Sequence, residues 1–471
     1  MDLTGLALRA SAARPRVLLA TLPGGTAARL RAERSARLRD WPLAATPAQA
    51  DLLLVVGQDC SRPRAAVNRL WQDMPAPRAL VHAGAADDVE AALEAGRARL
   101  GSPAVQHRHA EASAATTRYD DDGRPRHRES SGGARHHDEE ARHSDARAHG
   151  EHADGPGGRH AGAHAPHEGG RAHGGHDGQG AGNRGDHGGD EGHGHHGGHG
   201  GHGGGGTGMP GGLPMAEQGE DRDGLTLDRL HVPLGPLLAD WPAGLTVRLI
   251  LQGDVIQEVD VEGGPTPSAG AAPFWVEPWL RAADGDRVSV GEAARRRASA
   301  RLDSLARMLS VAGWPAEATA ARRLRDDLLD GVPGASVAPR LDRFARRVGR
   351  SRTLAWLTRG IGSVSGQEAR EAGVSGPAAR AGGDVTARYR QWLADIRSDV
   401  GRLEESSLLR PAGEESPRGD WKSDAPPSAA LIALLPRLLR GAELAAARLV
   451  VASLDPDLDE LTACGRGAAR G

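Results

Sequence analysis

The chain has 471 residues, enough for roughly two to four domains of ordinary size. Its 59 basic and 62 acidic residues leave a net charge of -3, so no overall field favours binding to nucleic acid. Two cysteines, Cys60 and Cys464, are too few for a disulfide framework or a cysteine-only metal site, and they fit a reducing cytoplasm.

Membrane insertion is not expected from the sequence. No stretch approaches the ~20 apolar residues that a membrane-spanning helix requires, and the short apolar run at residues 17–22 is better interpreted as a strand than as an export signal. We therefore expect a cytoplasmic protein that reaches the inner face of the cell membrane only through partners.

The first hundred residues alternate short apolar runs with helical patterns. Continuous apolar runs of this kind are typical of strands buried on both faces of a parallel sheet. The pattern predicts a small doubly wound α/β domain over residues 1–104, with strands at 16–22, 51–57 and 79–84 and helices from about Thr26, from about Arg64 and over 87–100.

Residues 105–215, the His-rich tract, hold all but His82 and His231 of the 21 histidines. Dense Gly, Asp, Glu and Arg with almost no large apolar side chains predict a disordered linker, because such a segment cannot offset its ordering entropy by burial. Neutral imidazoles bind Zn(II) or Ni(II), so the candidate metal ligands are His193, His195, His196, His199 and His202. Two interpretations stay open: a flexible tether with incidental metal affinity, and storage or delivery of nickel or zinc.

The second globular part, residues 216–471, is predicted to be α+β and mostly helical. Runs at 245–251 and 255–261, joined by Gln252-Gly253-Asp254, indicate a β-hairpin. Apolar residues at helical spacing follow near 302–311 and 385–403, and further helices are expected at about 316–330, 338–349 and 428–452, the last interrupted by Pro436.

The N-terminal domain resembles the B-type subunit of the NADH:quinone oxidoreductases, the respiratory complex I family. The resemblance covers about 85 residues and is carried by Gln49-Ala50-Asp51, Val55-Val56-Gly57, Met74-Pro75 and Pro77-Arg78. It implies a [4Fe-4S] cluster held by four cysteines, but the first loop, 20–25, has no thiol, Ala86 stands at a ligand position, and Cys60 lies elsewhere. No bound cluster is therefore expected, and Pro23-Gly24-Gly25 is interpreted as a tight turn rather than a phosphate cradle.

The C-terminal half resembles the D-type subunit of the same complexes, which is related to the large subunit of the nickel-iron hydrogenases. The matching segments keep the family's order and include Gly235-Pro236, Gly244 to Leu249, Arg359-Gly360-Ile361-Gly362, Gly373 to Pro377, Pro417-Arg418-Gly419 and Ser453-Leu454-Asp455-Pro456. In that family the two subunits pack against each other at the base of the peripheral arm.

The residues that would form a quinone site in this family differ here. The family's hairpin carries a histidine pair near the quinone, whereas this chain has residues 237–243 between its glycines, and no counterpart of the quinone-binding tyrosine or of the nickel-binding cysteines is evident. His231, Asp240 and Trp241 are the candidates to replace the lost quinone ligands. The sequence thus predicts a non-catalytic peripheral subunit or assembly scaffold of a complex I-like or membrane-hydrogenase-like assembly, with nickel or zinc handling as the alternative.

Overall fold

The structure of the protein is a computed structural model that describes residues 3–58, 63–116, 217–220, 226–262, 273–421 and 426–461. The described residues all fall in one of the two units into which the chain divides. Cys60, Cys464 and the five candidate ligands of the His-rich tract lie outside the described residues. No helix of the described ranges is both long enough and apolar enough to cross a bilayer.

A three-stranded parallel sheet forms the centre of the N-terminal half, as predicted. Its strands are β1 (Val17–Thr21), β2 (Leu52–Val56) and β3 (Ala79–Ala83), in the order β1-β2-β3. In the middle strand all five side chains are buried, which explains its unbroken apolar run.

Helices cover both faces of this sheet. Alternate residues of β2 point to opposite sides, so Leu52 and Leu54 pack with α2 and α4, whereas Leu53 and Val55 pack with Val67 of α3. The helices are α1 (Leu3–Ala13), α2 (Thr26–Leu38), α3 (Arg64–Gln72), α4 (Val89–Leu100) and α5 (Pro103–Thr116). The first and last were not predicted, and α5 occupies the beginning of the segment predicted to be a linker.

The C-terminal half begins with a four-stranded antiparallel sheet. The predicted hairpin is present as β6 (Thr246–Gln252) and β7 (Val255–Glu262), and β4 (Glu217–Glu220) and β5 (Thr226–Leu234) extend it in sequence order. The sequence did not indicate these two additional strands, because the alternation of β5 is short and includes Pro233.

Helices make up the rest of this half: α6 (Glu277–Ala283), α7 (Val290–Val311), α8 (Pro315–Leu329), α9 (Gly334–Gly349), α10 (Arg352–Thr358), α11 (Gly366–Glu371), α12 (Gly376–Ala381), α13 (Val385–Gly401), α14 (Pro427–Leu439) and α15 (Leu444–Leu454). The predicted apolar faces of α7 and α13 meet in one core with α8, α9 and α15. Pro436 lies inside α14 and does not end it; the break comes at residues 440–443, where Gly441 has a φ of +77°.

Apolar contacts join the two halves. Leu30 of α2 packs with Trp275 and Ala300 of the helical half, and Leu237, in the loop between β5 and β6, packs with Leu18 and other residues on one face of the N-terminal sheet. The two sequence regions therefore share parts of their cores, although about 100 residues of sequence separate them.

Candidate functional site

A cleft of about 510 Å³ lies between the two halves of the protein. Its walls are α2, the loop between β5 and β6, and the facing ends of α7 and α8. A volume of this size is in the range of small-molecule sites, and the mixture of arginines with Leu43, Leu238 and Trp41 gives the cleft an amphipathic wall.

Two of the three candidate quinone residues line this cleft. Asp240 accepts hydrogen bonds from Ser310 Oγ at 2.5 Å and from Arg322 Nη2 at 2.7 Å, so its carboxylate holds the loop to α7 and α8. Trp241 is buried and donates from Nε1 to the carbonyl oxygen of Leu245 at 2.8 Å. Both side chains therefore already fix the loop in place.

The loop itself requires special backbone geometry. Gly235 has a φ of +91°, and a Cβ atom there would lie 2.0 Å from the carbonyl oxygen of Leu245. Asp240 also has a positive φ, 56°, a conformation that Asp tolerates better than most residues. The tight approach of Gly235 to Leu245 closes the loop and positions Asp240 and Trp241 at the cleft.

His231 does not join them. It is exposed on β5, opposite Ile250 of β6, and lines a separate depression together with Arg248, Glu258 and other residues of the sheet. The structure thus brings Asp240 and Trp241 to the cleft and leaves His231 outside it.

At the inner wall of the cleft is a group of four charged side chains, Arg29, Glu33, Asp303 and Arg325, which we call the buried quartet. Arg29 Nη1 lies 2.7 Å from Glu33 and Arg29 Nη2 lies 2.7 Å from Asp303. From the other side, Arg325 Nη1 lies 2.8 Å from Glu33 and 2.6 Å from Asp303. Two arginines and two carboxylates leave no net charge, and each carboxylate is bound by both arginines.

Burial makes the pairing within the quartet obligatory. Arg325 is 0% exposed and Asp303 is 1% exposed, so either charge left alone would be desolvated without compensation. Burial opposes the ionisation of Glu33, but the charges of Arg29, Arg325 and Arg322 outweigh it and lower the pKa of Glu33 to about 2. Burial likewise opposes the charge of Asp303, but Arg29, Arg307 and Arg325 hold its pKa well below the usual range. Both carboxylates are ionised at neutral pH and are poor proton donors.

The ion pairs continue toward the C-terminal segment. Arg307 contacts Asp455 at 2.6 Å and Asp303 at 3.4 Å. Arg418 in turn contacts Asp455, with its Nη2 atom 2.8 Å from the carboxylate and its Nε atom donating to the main-chain oxygen at 2.8 Å. A continuous series of charges thus connects α2 with the segment after α15.

A second contact joins that segment to the turn after β1. The main-chain N–H of Gly24 donates to Asp459 at 2.7 Å, and the hydroxyl of Thr26 donates to the same carboxylate at 3.3 Å. Burial, with the nearby carboxylate of Asp457, raises the pKa of Asp459 to about 7. The polar groups that a phosphate would need at this turn are thus engaged by the protein's own carboxylate.

Sequence reasoning did not identify the residues of the quartet. Arg29 and Glu33 are spaced as an ordinary i, i+4 surface pair of a helix, and nothing local indicates partners more than 250 residues away. In α7 the structure buries Asp303 and Arg307 among residues that are buried on every side of the helix, which the charged sequence of this helix does not indicate.

Among the described residues, no group of three or more His, Cys, Asp or Glu side chains is arranged to hold a metal ion. The predicted nickel or zinc ligands of the His-rich tract lie outside these residues and stay a prediction.

Comparison with solved structures finds similar chains, one of which belongs to a respiratory membrane complex. No family model matches the chain, and no curated protein matches it. A chain of the membrane-bound sulfane sulfur reductase, an archaeal respiratory membrane complex, is 15% identical, with a TM-score of 0.34, over 50% of this chain and 98% of that chain. A similarity of this degree is too low to assign a function.

Proposed function

We propose that this protein is a non-catalytic peripheral subunit or assembly scaffold of a membrane complex similar to the NADH:quinone oxidoreductases. The sequence resemblance supports this class of protein, because the chain combines a B-type and a D-type part. Both parts lack the residues of the family's redox sites, which are the cysteines of the cluster and the histidines of the quinone site. The role is a docking role, in which two fused parts present one surface to the other subunits of the assembly.

The buried quartet is the observation that carries the proposal. Its members come from α2 of the N-terminal half and from α7 and α8 of the C-terminal half. Glu33, Asp303 and Arg325 are as buried as core residues, and the side chain of Arg29 is only 12% exposed. In the family that the chain resembles, the B-type and D-type subunits adjoin each other. Retention of a well-packed contact between the corresponding halves, after loss of the redox ligands, is what a structural subunit would require.

The chemistry of the cleft also favours a docking role. Asp240 and Trp241 are engaged in holding the loop, and Glu33 and Asp303 stay ionised through neutral pH. A general acid or base works best with a pKa near the operating pH, and the lowered pKa values of Glu33 and Asp303 lie far from it. Any electron transfer in the assembly would use clusters and quinone sites of partner subunits.

Co-purification tests the proposal. The tagged full-length protein would be expressed in its native host, extracted from the membranes with a mild detergent, and its partners identified by mass spectrometry. We expect membrane-spanning subunits and cluster-binding subunits to be recovered. A variant in which residues 121–210 are replaced by Gly and Ser at equal length should recover the same partners, because the described contacts between the halves are made by residues outside that segment.

The opposite outcome is equally specific. Recovery from the soluble fraction alone, with bound nickel or zinc that the replacement variant lacks, would contradict the scaffold and favour metal handling by His193, His195 and the neighbouring histidines. Stoichiometric iron and acid-labile sulfide in protein purified without oxygen would contradict the absence of a cluster.

A further inference from the structure

A strongly basic region covers two consecutive helices on the outside of the C-terminal half. Between residues 340 and 359 the chain has seven arginines and a single acidic residue, Asp342. Five of these arginines, together with one tryptophan, form what we call the basic face: Arg343, Arg346, Arg350, Arg352, Arg359 and Trp356.

Helical spacing places these residues on the outer sides of α9 and α10. Arg343, Arg346 and Arg350 recur at intervals of three and four residues along α9, and Arg352 and Trp356 are four apart on α10. The opposite sides of both helices are buried against α13 in the same core, through residues such as Phe344 and Leu354. The outer sides therefore both point away from that core and are exposed.

The charges of the basic face are not neutralised within the described part of the chain. Two other arginines of α9 have partners there: Arg340 lies 2.7 Å from Asp327 and Arg347 lies 2.7 Å from Glu317. For the five arginines of the basic face, the described ranges contain no carboxylate within ion-pair distance. Other arginines of the helical half, such as Arg297, Arg301 and Arg402, do contact carboxylates.

Trp356 adds an exposed aromatic ring to this charge. Its side chain is 79% exposed, the largest exposure among the large apolar side chains of the described residues, and Leu357 beside it is 38% exposed. The indole ring is stable at the boundary between lipid headgroups and acyl chains, because it combines a large apolar surface with a polar N–H group.

We propose that the basic face binds directly to a bilayer surface that contains anionic phospholipids, with the ring of Trp356 at headgroup depth and the five guanidinium groups on lipid phosphates. Arginines without carboxylate partners are attracted to anionic lipids when they lie near a membrane surface. One guanidinium group can also donate two parallel hydrogen bonds to a single phosphate. The proposal goes beyond the scaffold function, which needs membrane contact only through partners.

A bilayer fits this face better than an acidic protein does. Lipid headgroups move laterally and can meet arginines on two helices without a matching arrangement of carboxylates. A protein partner would instead bury the tryptophan in a well-packed pocket near the centre of the interface. The residues next to Trp356 on the outer side are arginine, threonine and glycine, with only Leu357 adding apolar surface.

Vesicle co-sedimentation tests the proposal with the purified full-length protein. Vesicles of phosphatidylcholine with about one-third phosphatidylglycerol are compared with pure phosphatidylcholine at pH 8, where exposed histidines are neutral. The test variant is Arg343→Glu/Arg346→Glu/Arg350→Glu. The matched control is Arg287→Glu/Arg410→Glu/Arg448→Glu, which reverses three exposed arginines elsewhere and so changes the net charge equally.

We expect binding to the anionic vesicles only, a loss of at least about tenfold in the test variant, and a change of less than about threefold in the control. Trp356→Ala should weaken binding several-fold and should remove the part of the tryptophan fluorescence that brominated lipids quench in the wild type. Circular dichroism confirms that each variant is folded.

Three results would overturn the proposal. The protein does not sediment with anionic vesicles; the two triple variants lose binding equally; or Trp356→Ala leaves both the affinity and the quenching unchanged. Cross-linking from the basic face to an acidic protein in native membranes, together with no vesicle binding, would assign the face to a protein partner instead.

Discussion

Arg29 of α2 holds Asp303 of α7 through two parallel hydrogen bonds, from Nη1 to Oδ1 at 3.1 Å and from Nη2 to Oδ2 at 2.7 Å. The two residues are 274 positions apart in sequence and belong to different halves of the protein. Because Asp303 is 1% exposed, this pair ties the α/β half to the helical half inside the protein rather than on its surface.

Removing one charge of the quartet should destabilise the protein strongly. Asp303→Asn removes one of the two carboxylates that Arg29 and Arg325 share and leaves two buried arginines on Glu33 alone, and breaking buried pairs in this way costs about 3–5 kcal/mol. Urea denaturation would measure the free energy of unfolding. The control, Asp342→Asn, removes an ion pair to Arg397 that is exposed on both sides and should cost less than about 1 kcal/mol. Equal losses in the two variants would contradict a special role for the quartet.

The raised pKa of Asp459 predicts that stability falls with rising pH. Between the unfolded pKa, about 4, and the folded pKa, about 7, the folded protein keeps a proton that the unfolded chain has released. The contribution is therefore complete below about pH 4 and is lost as pH rises through 7. Glu33 and Asp303 act in the opposite sense, but only at acidic pH, because their pKa values are lowered.

Asp459→Asn tests this pH dependence, because the amide stays neutral and its oxygen can still accept from Gly24. Between pH 5.5 and pH 8.5 the free energy of unfolding should fall less in the variant than in the wild type, by on the order of 1 kcal/mol, as denaturation at the two pH values would measure. Glu404→Gln, at an exposed carboxylate, should change the difference between the two pH values little. An unchanged pH dependence in Asp459→Asn would show that another group is responsible.

Gly25 should not tolerate a side chain. A Cβ atom there would lie 2.5 Å from the carbonyl oxygen of Val56 and 2.8 Å from that of Leu22, which are main-chain atoms that cannot move aside freely. We expect Gly25→Ala to lower the free energy of unfolding by about 1–3 kcal/mol. The control is Gly366→Ala in the first turn of α11, where the added methyl group meets open space. This change should leave the free energy of unfolding unchanged or raise it slightly. The same denaturation experiment compares the two, and a neutral Gly25→Ala would mean that the turn is looser than the structure shows.

The hydrogen bond of Trp241 should stabilise the loop at the cleft. Trp241→Phe keeps most of the apolar ring but leaves the buried carbonyl oxygen of Leu245 without its donor, which should cost about 1–3 kcal/mol. Trp356→Phe, at a position 79% exposed, should change stability by less than about 0.5 kcal/mol. Thermal unfolding followed by circular dichroism distinguishes the two; similar melting temperatures would indicate that the loop does not depend on this bond.

The sequence predicted the elements whose apolar pattern is complete within one segment. The continuous runs of β1, β2 and β3 and the turn at Gln252-Gly253-Asp254 are local signals, and the structure confirms the strands they predict. In the N-terminal half two helices were missed, since α5 has little difference between its faces and α1 precedes the first clear apolar run. In the C-terminal half the short helices α6, α10, α11 and α12 were missed as well.

Much of the site could not be predicted because it depends on pairing between distant segments. Asp240 and Trp241 were singled out from a resemblance, and the structure places both at the cleft, but it places His231 on an exposed strand. Arg29, Glu33, Asp303 and Arg325 each look like residues of a solvated helix face when α2, α7 and α8 are considered separately. Their burial follows only from the packing of the three helices against one another.

Cleavage between the two halves tests the central claim, that they form one structural unit joined by the buried quartet. A protease site would be inserted near residue 165, the full-length protein cleaved, and the fragments analysed by size-exclusion chromatography at micromolar concentration. We expect the two fragments of the wild type to elute together and those of Asp303→Asn to elute apart, while those of Asp342→Asn stay together. Separate elution of the wild-type fragments would contradict the account, because the halves would then be joined by nothing stronger than the chain between them.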